Sequence, residues 1–302
     1  MFSAKRIARF IDKNAIDVLH AHVARDYIAA SIAARSAQRV KFVLTRHVVF
    51  PMKPFQRFAL RNVDAAIAVS PVVGTQLEKI FSREKVRVIY NGISFDTQTD
   101  SETKAAEFRE FHRIPADAPL VATLGELKLL KGQRDFVLAA NEVVKRIPDS
   151  RFVVAGSDNS VDQHFRRELK RLVRVLGLEE KFLWLDWLDD IQPFLAAADV
   201  FVSPSHSESF GLAILDAMAS GTAVVATATD GARELIADKD ALVPISDPLA
   251  LADKICELLE NEETRRELGR RLQADAREKF SLGRMVDVTE ELYRSLTTLP
   301  ST

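Results

Sequence analysis

A single cysteine, Cys256, stands in 302 residues, so no intramolecular disulfide framework and no cysteine-rich zinc site is available, which fits a reducing compartment. Glycine and proline are sparse, eleven of each, and no low-complexity tract interrupts the chain; collagen-like and disordered classes are excluded. No uninterrupted apolar run reaches the roughly 18 residues that span a bilayer, and Met1 to Lys13 lacks the apolar core of a signal peptide, so a cytoplasmic location is expected. What is present is globular material, 47% hydrophobic and 28% charged. At roughly 150 residues per domain its length fits about two domains.

The net charge of −1 hides an asymmetry. Residues 1–62 carry twelve Lys/Arg against Asp12, Asp17 and Asp26, a local charge of +9 that leaves −10 for the rest. A basic lobe beside an acidic one points to an anionic partner such as a phosphate, a nucleic acid or an anionic membrane surface, or else to an ordinary solvated face. No nucleic-acid-binding motif accompanies the charge, so nucleic acid is not expected.

Strand and helix patterns alternate along the chain, the mark of parallel sheets covered by helices. In the first lobe a helix with Phe2, Ile7, Phe10 and Ile11 on its apolar face precedes a strand at 16–20. An Ala-rich helix to about Arg35, a strand Val40 to Thr45, a helix around Arg57 to Asn62, a strand Ala65 to Val69, a helix opened by Ser70-Pro71 and a strand Val86 to Tyr90 follow. Residues from about Ser94 to Ala118 read as a linker and a leading helix. Beyond them come strand Leu120 to Leu124, helix Gln133 to Arg146, strand Arg151 to Ala155, helix Val161 to Leu176 and strand Phe182 to Leu185. Helix Ile191 to Ala198, strand Val200 to Ser203, helix Phe210 to Ala219, strand Ala223 to Thr227, a helix near Arg233 to Ile236, strand Ala241 to Pro244 and helices Pro248 to Glu260, Glu263 to Lys279 and Leu282 to Leu296 complete it. The second lobe is a full doubly wound α/β domain; the first begins part-way through its own alternation, and its opening strands are expected to be missing. Domains are therefore placed at 1–97 and 98–281, with 282–302 crossing back to the first.

Open α/β sheets bind ligands at the carboxyl ends of their strands. The clearest local signal lies there: Pro204-Ser205-His206-Ser207-Glu208-Ser209-Phe210-Gly211-Leu212, a strand-to-helix loop that offers backbone N–H groups and a positive helix end to an anion. Glu208 and Asp216, eight positions apart, stand roughly 12 Å apart along a helix axis. Retaining glycosidases hold their two carboxylates about 5.5 Å apart and inverting ones at most about 9.5 Å, so this pair does not flank one glycosidic bond. It suits the two hydroxyl-bearing ends of a ligand with a diphosphate between them, as in a sugar nucleotide. The plain alternative is that Glu208 caps a helix and Asp216 faces solvent.

This loop and its continuation, Asp216-Ala217-Met218-Ala219-Ser220-Gly221-Thr222, resemble the signature of the family 4, or group 1, retaining glycosyltransferases of the two-Rossmann-domain (GT-B) type. Asp216 stands where that family usually has a second Glu. Leu124-Gly125-Glu126-Leu127 with Lys131-Gly132 is similar to its phosphate-clamping loop, with Glu126 where a basic residue is common. Val88 to Ile93, Phe152 to Gly156 and Asp230 to Glu234 extend the likeness, which covers residues 16–296.

The resemblance implies two Rossmann-like domains, the first incomplete, and transfer of a sugar from a nucleotide diphosphate-sugar to an acceptor with retention and no obligatory metal or other cofactor. It implies catalytic roles for Glu208, His47 and Lys131. Donor binding falls to Gly125, Glu126, Lys131, Gly156, Glu208, Ser209, Phe210, Gly211, Leu212 and Asp216, and the acceptor side to His22, Arg46 and His47. The acceptor is expected to be a glycan or lipid-linked glycan precursor, and the basic opening helix is compatible with peripheral contact at an anionic membrane.

Several residues keep two readings. His20, His22 and His47 begin a zinc site or line an acceptor cleft, with His20 packed beneath. Arg46 meets a phosphate or is a surface arginine. Trp184 and Trp187 stack a base or pack in the core; Phe50, Met52 and Phe55, in a loop with Pro51 and Pro54, take an apolar substrate portion or cover the core. The rival to an active enzyme is a truncated remnant that binds nucleotide sugar without turnover, or a subunit completed by a partner chain.

Overall fold

A computed structural model describes residues 2–37, 39–53, 55–95 and 101–298. The chain divides into two compact units, Met1–Gly92 with Leu282–Thr302, and Ile93–Ser281. Pro54 and the 97/98 boundary expected from sequence lie outside the described residues, as does the Phe2 side chain.

The first unit runs α1 (Phe2–Lys13), β1 (Val18–Ala21), α2 (Tyr27–Ser36), β2 (Lys41–Arg46), α3 (Gln56–Ala59), β3 (Ala65–Ala68), α4 (Pro71–Leu77) and β4 (Val86–Val88). Its four strands are parallel in the order β1-β2-β3-β4. Alternation along a strand sends neighbouring side chains to opposite faces. Leu19 thus joins Ala4, Ala8 and Ile11 of α1 and Ala33 of α2 on one face. Val18 and Val43 join Leu292, from the chain's closing helix, on the other. The apolar stripe of α1 keeps the expected Ile7 and Ile11 but adds Ala4 and Ala8 in place of Phe10, which lies 63% exposed. Helix α3 ends before Asn62 because Ser31 Oγ sits 2.5 Å from both the Ala59 carbonyl and Asn62 Oδ1, drawing the chain off the helical path.

The second unit runs α5 (Ser101–Phe111), β5 (Leu120–Leu124), α6 (Gln133–Arg146), β6 (Arg151–Ala155), α7 (His164–Val175), β7 (Phe182–Leu185), α8 (Gln192–Ala197) and β8 (Val200–Ser203). It continues with α9 (Leu212–Ser220), β9 (Ala223–Thr227), α10 (Asp230–Leu235), β10 (Leu242–Val243), α11 (Pro248–Glu260) and α12 (Glu262–Lys279). The closing helix α13 (Leu282–Thr297) belongs to the first unit. Strands β5, β6, β8 and β9 are near-continuous apolar runs, as strands covered on both faces must be. Phe136 of α6 meets Phe152 of β6 edge-on, with centroids 5.9 Å apart, and Phe152 stacks on Phe182 at 5.2 Å.

All six strands are parallel in the order β10-β9-β8-β5-β6-β7. The direction of winding reverses between β5 and β8, and the crevice above such a switch point is where open α/β sheets take ligands. Three elements depart from the sequence expectation. The long helix from Val161 breaks at left-handed Asp162 and Gln163, and α7 starts at His164, its early amide at Arg166 held 2.7 Å from Asp158 Oδ2. Helix α9 starts at Leu212, with Gly211 left-handed at φ +107° outside it, so only the last turn of the Glu208-to-Asp216 interval is helical. Strand β10 stops before Pro244, which has no N–H to give a ladder.

Candidate active site

Two loops rise from the switch point, residues 125–132 after β5 and 204–211 after β8. Gly132 allows them to touch. Its φ is +66°, and a Cβ there would lie 1.8 Å from the Pro204 carbonyl oxygen. The His206 amide donates to the Leu130 carbonyl at 2.9 Å, and Lys131 Nζ reaches Glu208 Oε2 at 2.6 Å. Both side chains are partly buried, 27% and 16% exposed, so the pair is shielded from solvent and loss of either partner leaves the other uncompensated. A second pair ties the 204–211 loop to the first turn of α6, His206 Nε2 to Asp135 Oδ2 at 2.7 Å. The Gly231 amide completes the support, donating to the Glu208 carbonyl at 3.1 Å.

Beside them opens a cavity of about 760 Å³. Its walls include Gly125, Glu126 and Gly156 from the ends of β5 and β6, and Leu212 and Asp216 from α9. Gly156 is required by close approach, since a Cβ would fall 1.9 Å from the Gly125 carbonyl oxygen. Asn159, Trp187 and Asp189, from the loops after β6 and β7, close the far side. The floor is braced by Arg166, only 7% exposed, whose Nη2 donates to the Gly156 and Leu185 carbonyls at 2.6 and 3.1 Å and meets Asp186 at 2.8 Å.

The structure brings Gly125, Glu126, Gly156, Leu212 and Asp216 together on this cavity and Lys131 with Glu208 beside it. Ser209, Phe210 and Gly211 lie in the adjoining loop, but the Phe210 side chain is 2% exposed and packs edge-on to Phe280, so it supports the loop from within. Glu126 does not stand as an uncompensated acid: Lys128 pairs with it and Asn159 Nδ2 approaches it at 3.3 Å. The Lys128 hydrogen bond holds the Glu126 carboxyl below the usual range, although burial opposes it. Burial pushes the Asp216 carboxyl up to about 6.

Of the two tryptophans, Trp184 packs on Phe182 with Lys170 over its ring, whereas Trp187 is 75% exposed on the cavity rim. Lys128, Asn159 and Asp189 escaped the sequence reading. Their only signal was position after a strand.

In the first unit His20 is fully engaged, Nδ1 to the Tyr293 hydroxyl at 2.5 Å and Nε2 to Thr45 Oγ1 at 2.7 Å. Burial first, then the neighbouring His22 and His47, pull its pKa down to about 4. His22 Nδ1 lies 3.4 Å from His47 Nε2, and desolvation followed by His22 lowers the His47 pKa. With both nitrogens of His20 taken, the three imidazoles do not converge. Among the described residues no group of three or more His, Cys, Asp or Glu is placed to hold a metal ion. Arg46 is not a surface arginine. It is 7% exposed, with Nη2 on the Phe50 carbonyl at 2.6 Å. Phe50 and Phe55 do not cover the core, each being 56% exposed.

Among proteins of known kind, the chain is 25% identical to N-acetyl-alpha-D-glucosaminyl L-malate synthase of Bacillus anthracis over 303 residues, 96% of this chain and 77% of that one. It is 30% identical to D-inositol 3-phosphate glycosyltransferase of Corynebacterium urealyticum over 248 residues, 79% of this chain but 58% of that one. Its fold matches a glycosyltransferase from Rickettsia africae with a TM-score of 0.88 at 23% identity, covering 99% of this chain and 81% of the other. It matches Anabaena HepE, solved with UDP and glucose, at 0.85 and 23% identity, covering 98% and 81%. These likenesses assign the GT-B fold. Residues 1–97 match glycosyltransferase family 4, and residues 104–275, more than half the sequence, match glycosyl transferases group 1: the chain belongs to the group 1 glycosyltransferase family.

Proposed function

We propose that the chain moves a sugar from a nucleotide diphosphate-sugar to an acceptor hydroxyl with retention at the anomeric carbon. The observation that carries the reading is the Lys131–Glu208 pair at the switch point, beside a cavity of about 760 Å³. In the reaction the bond from the anomeric carbon to the β-phosphate oxygen breaks and a bond to the acceptor oxygen forms. The acceptor proton passes to the departing diphosphate. Charge grows on that diphosphate, and Lys131 with the positive end of α9 meets it without an obligatory metal. Glu208 orients sugar hydroxyls, Asp216 accepts from the ribose diol, and Trp187 offers a face for the base. HepE with UDP-glucose supports a nucleotide-sugar donor in this fold.

The acceptor side falls to the first unit, at His22 and His47. A glycan or lipid-linked precursor at the inner face of an anionic membrane is the acceptor class we favour. Phe10, Phe55 and Phe58 are exposed in the stretch whose charge is +9, alongside Lys53, Arg57 and Arg61, as an interfacial surface requires. Among the described residues no helix is long and apolar enough to cross a membrane.

Release of nucleotide diphosphate from a panel of nucleotide sugars, with Glu208→Ala and Lys131→Ala in parallel, tests the reading. Release abolished by both substitutions supports it. Donor binding with no release across acceptors and vesicles favours a binding chain without turnover. Equal sedimentation with neutral and anionic vesicles overturns the membrane part.

A further inference from the structure

The two loops at the switch point are tied by two pairs of opposite polarity. The first loop supplies the cation Lys131 and the start of α6 just behind it the carboxylate Asp135; the second loop supplies the carboxylate Glu208 and the imidazole His206. Lys131 and Glu208, 2.6 Å apart, share one N–H···O contact, which leaves donors and acceptors on both for a ligand. A phosphate drawing on the ammonium and sugar hydroxyls drawing on the carboxylate compete with that contact and weaken it. The tie between the loops then slackens at the moment their register matters most.

Asp135 and His206 are placed to hold that register. Asp135 lies in the first turn of α6, one turn beyond Lys131, where the helix dipole favours a carboxylate. His206 stands two residues before Glu208, with side-chain exposures of 27% for His206 and 13% for Asp135. Its amide is bonded to the Leu130 carbonyl at 2.9 Å, so the same residue grips the first loop through its backbone and the helix that follows that loop through its ring. Neither residue lines the 760 Å³ cavity.

We propose that Asp135 and His206 form a positioning pair that keeps the 125–132 and 204–211 loops in register when ligand draws Lys131 and Glu208 apart. The proposal rests on the donor reading for why the first pair opens, but its structural content does not depend on which donor binds.

Hydrogen exchange on the full chain tests it without a ligand. Lys131→Met opens the first tie, and peptides covering 204–211 are expected to stay protected. Adding His206→Leu to that variant is expected to speed their exchange by about tenfold or more, the scale of a hydrogen bond to a charged group. Adding His206→Gln, which keeps a donor for Asp135, restores protection. Asp135→Asn in place of His206→Leu gives a second route should the leucine variant fold poorly, as thermal melts will report. Exchange in both double variants no faster than in Lys131→Met alone overturns the proposal.

Titration with UDP-glucose as the probe adds the functional arm. His206→Leu is expected to weaken binding by about tenfold, with His206→Gln close to the parent chain. Undiminished binding by a folded His206→Leu variant overturns the proposal. Failure of the parent chain to bind any nucleotide sugar defeats the donor reading instead, and the exchange result still decides the pair.

Discussion

Lys131 and Glu208, 77 residues apart in sequence, meet at 2.6 Å above the point where the winding of the second sheet reverses. Removing one partner strands the other in a mostly buried setting. Lys131→Met and Glu208→Gln are each expected to lower stability by about 1–3 kcal/mol, the cost of an unsatisfied buried group. Each is expected to cut nucleotide release by about 100-fold or more, the scale of losing one preorganised charge partner. Chemical denaturation and a coupled release assay measure the two effects, and release at the parental rate in either variant would count against the assignment.

Asp216 titrates where a binding assay can see it. Its pKa is pushed up to about 6 by burial, and the ionised form, with both oxygens accepting, holds two hydroxyls of a ribose more strongly than the protonated form, which turns one oxygen into a donor. Donor affinity is expected to be full near pH 7.5 and to fall as pH drops through 6, with Asp216→Asn weaker and flat over that range. Stability moves the opposite way. A carboxyl whose folded pKa exceeds its unfolded value binds protons more tightly when folded, so stability declines as pH rises from 4 to 6 and is level above. Asp216→Asn is expected to melt a few degrees higher than the parent at pH 8 and no higher near pH 4.

Trp187, 75% exposed on the cavity rim, is one of two tryptophans, and Trp184 packs on Phe182. Binding of UDP is expected to quench part of the emission. Trp187→Phe should abolish the change while leaving the Trp184 signal, and quenching that persists in this variant would place the base elsewhere.

Gly132→Ala puts a Cβ 1.8 Å from the Pro204 carbonyl in a left-handed backbone. Strain and a forced loop shift together are expected to cost about 2–4 kcal/mol. Donor binding should be lost even below the melting temperature, because the loops part. A calorimetric titration of the folded variant decides it.

Beside His47, whose pKa burial and His22 also lower, His20 contributes to the acid sensitivity of the first unit. Its folded pKa of about 4 lies below the ordinary value of 6.5, so the folded state resists protonation that the unfolded chain accepts. Stability attributable to this group is therefore full above pH 6.5 and declines as pH falls toward 4. His20→Gln is expected to flatten that decline; an unchanged acid limb in its melting profile would refute the attribution.

Much of the site could be read in one dimension because its chemistry sits in contiguous loops. Gly125, Glu126 and Gly156 follow strands that are near-continuous apolar runs, Leu212 and Asp216 lie in the helix after the next such strand, and all five line the cavity. The sequence left a surface position open for Arg46 because burial of a single cation is not written in its neighbours, and the structure places it 7% exposed with its guanidinium on the Phe50 carbonyl. Phe10 misled because helical spacing cannot tell which residues at the border of a stripe are packed: Ala4, Ala8 and Ile11, with Ile7 beside them, cluster with Ala33 of α2, while Phe10 stays exposed.

The period of apolar residues and the punctuation by glycine and proline specify local conformation, since each acts through its own backbone and nearest neighbours. Alternating strands and helices, the parallel class and the strand-end loops follow from that. Strand order does not, because parallel strands are joined by crossovers that leave the choice of neighbour to packing. It is the docking of β8 beside β5 that brings Lys131 to Glu208 and His206 to Asp135. Burial, which shifts Asp216 and His20 in opposite directions on the pH scale, likewise exists only once the chain has closed around them.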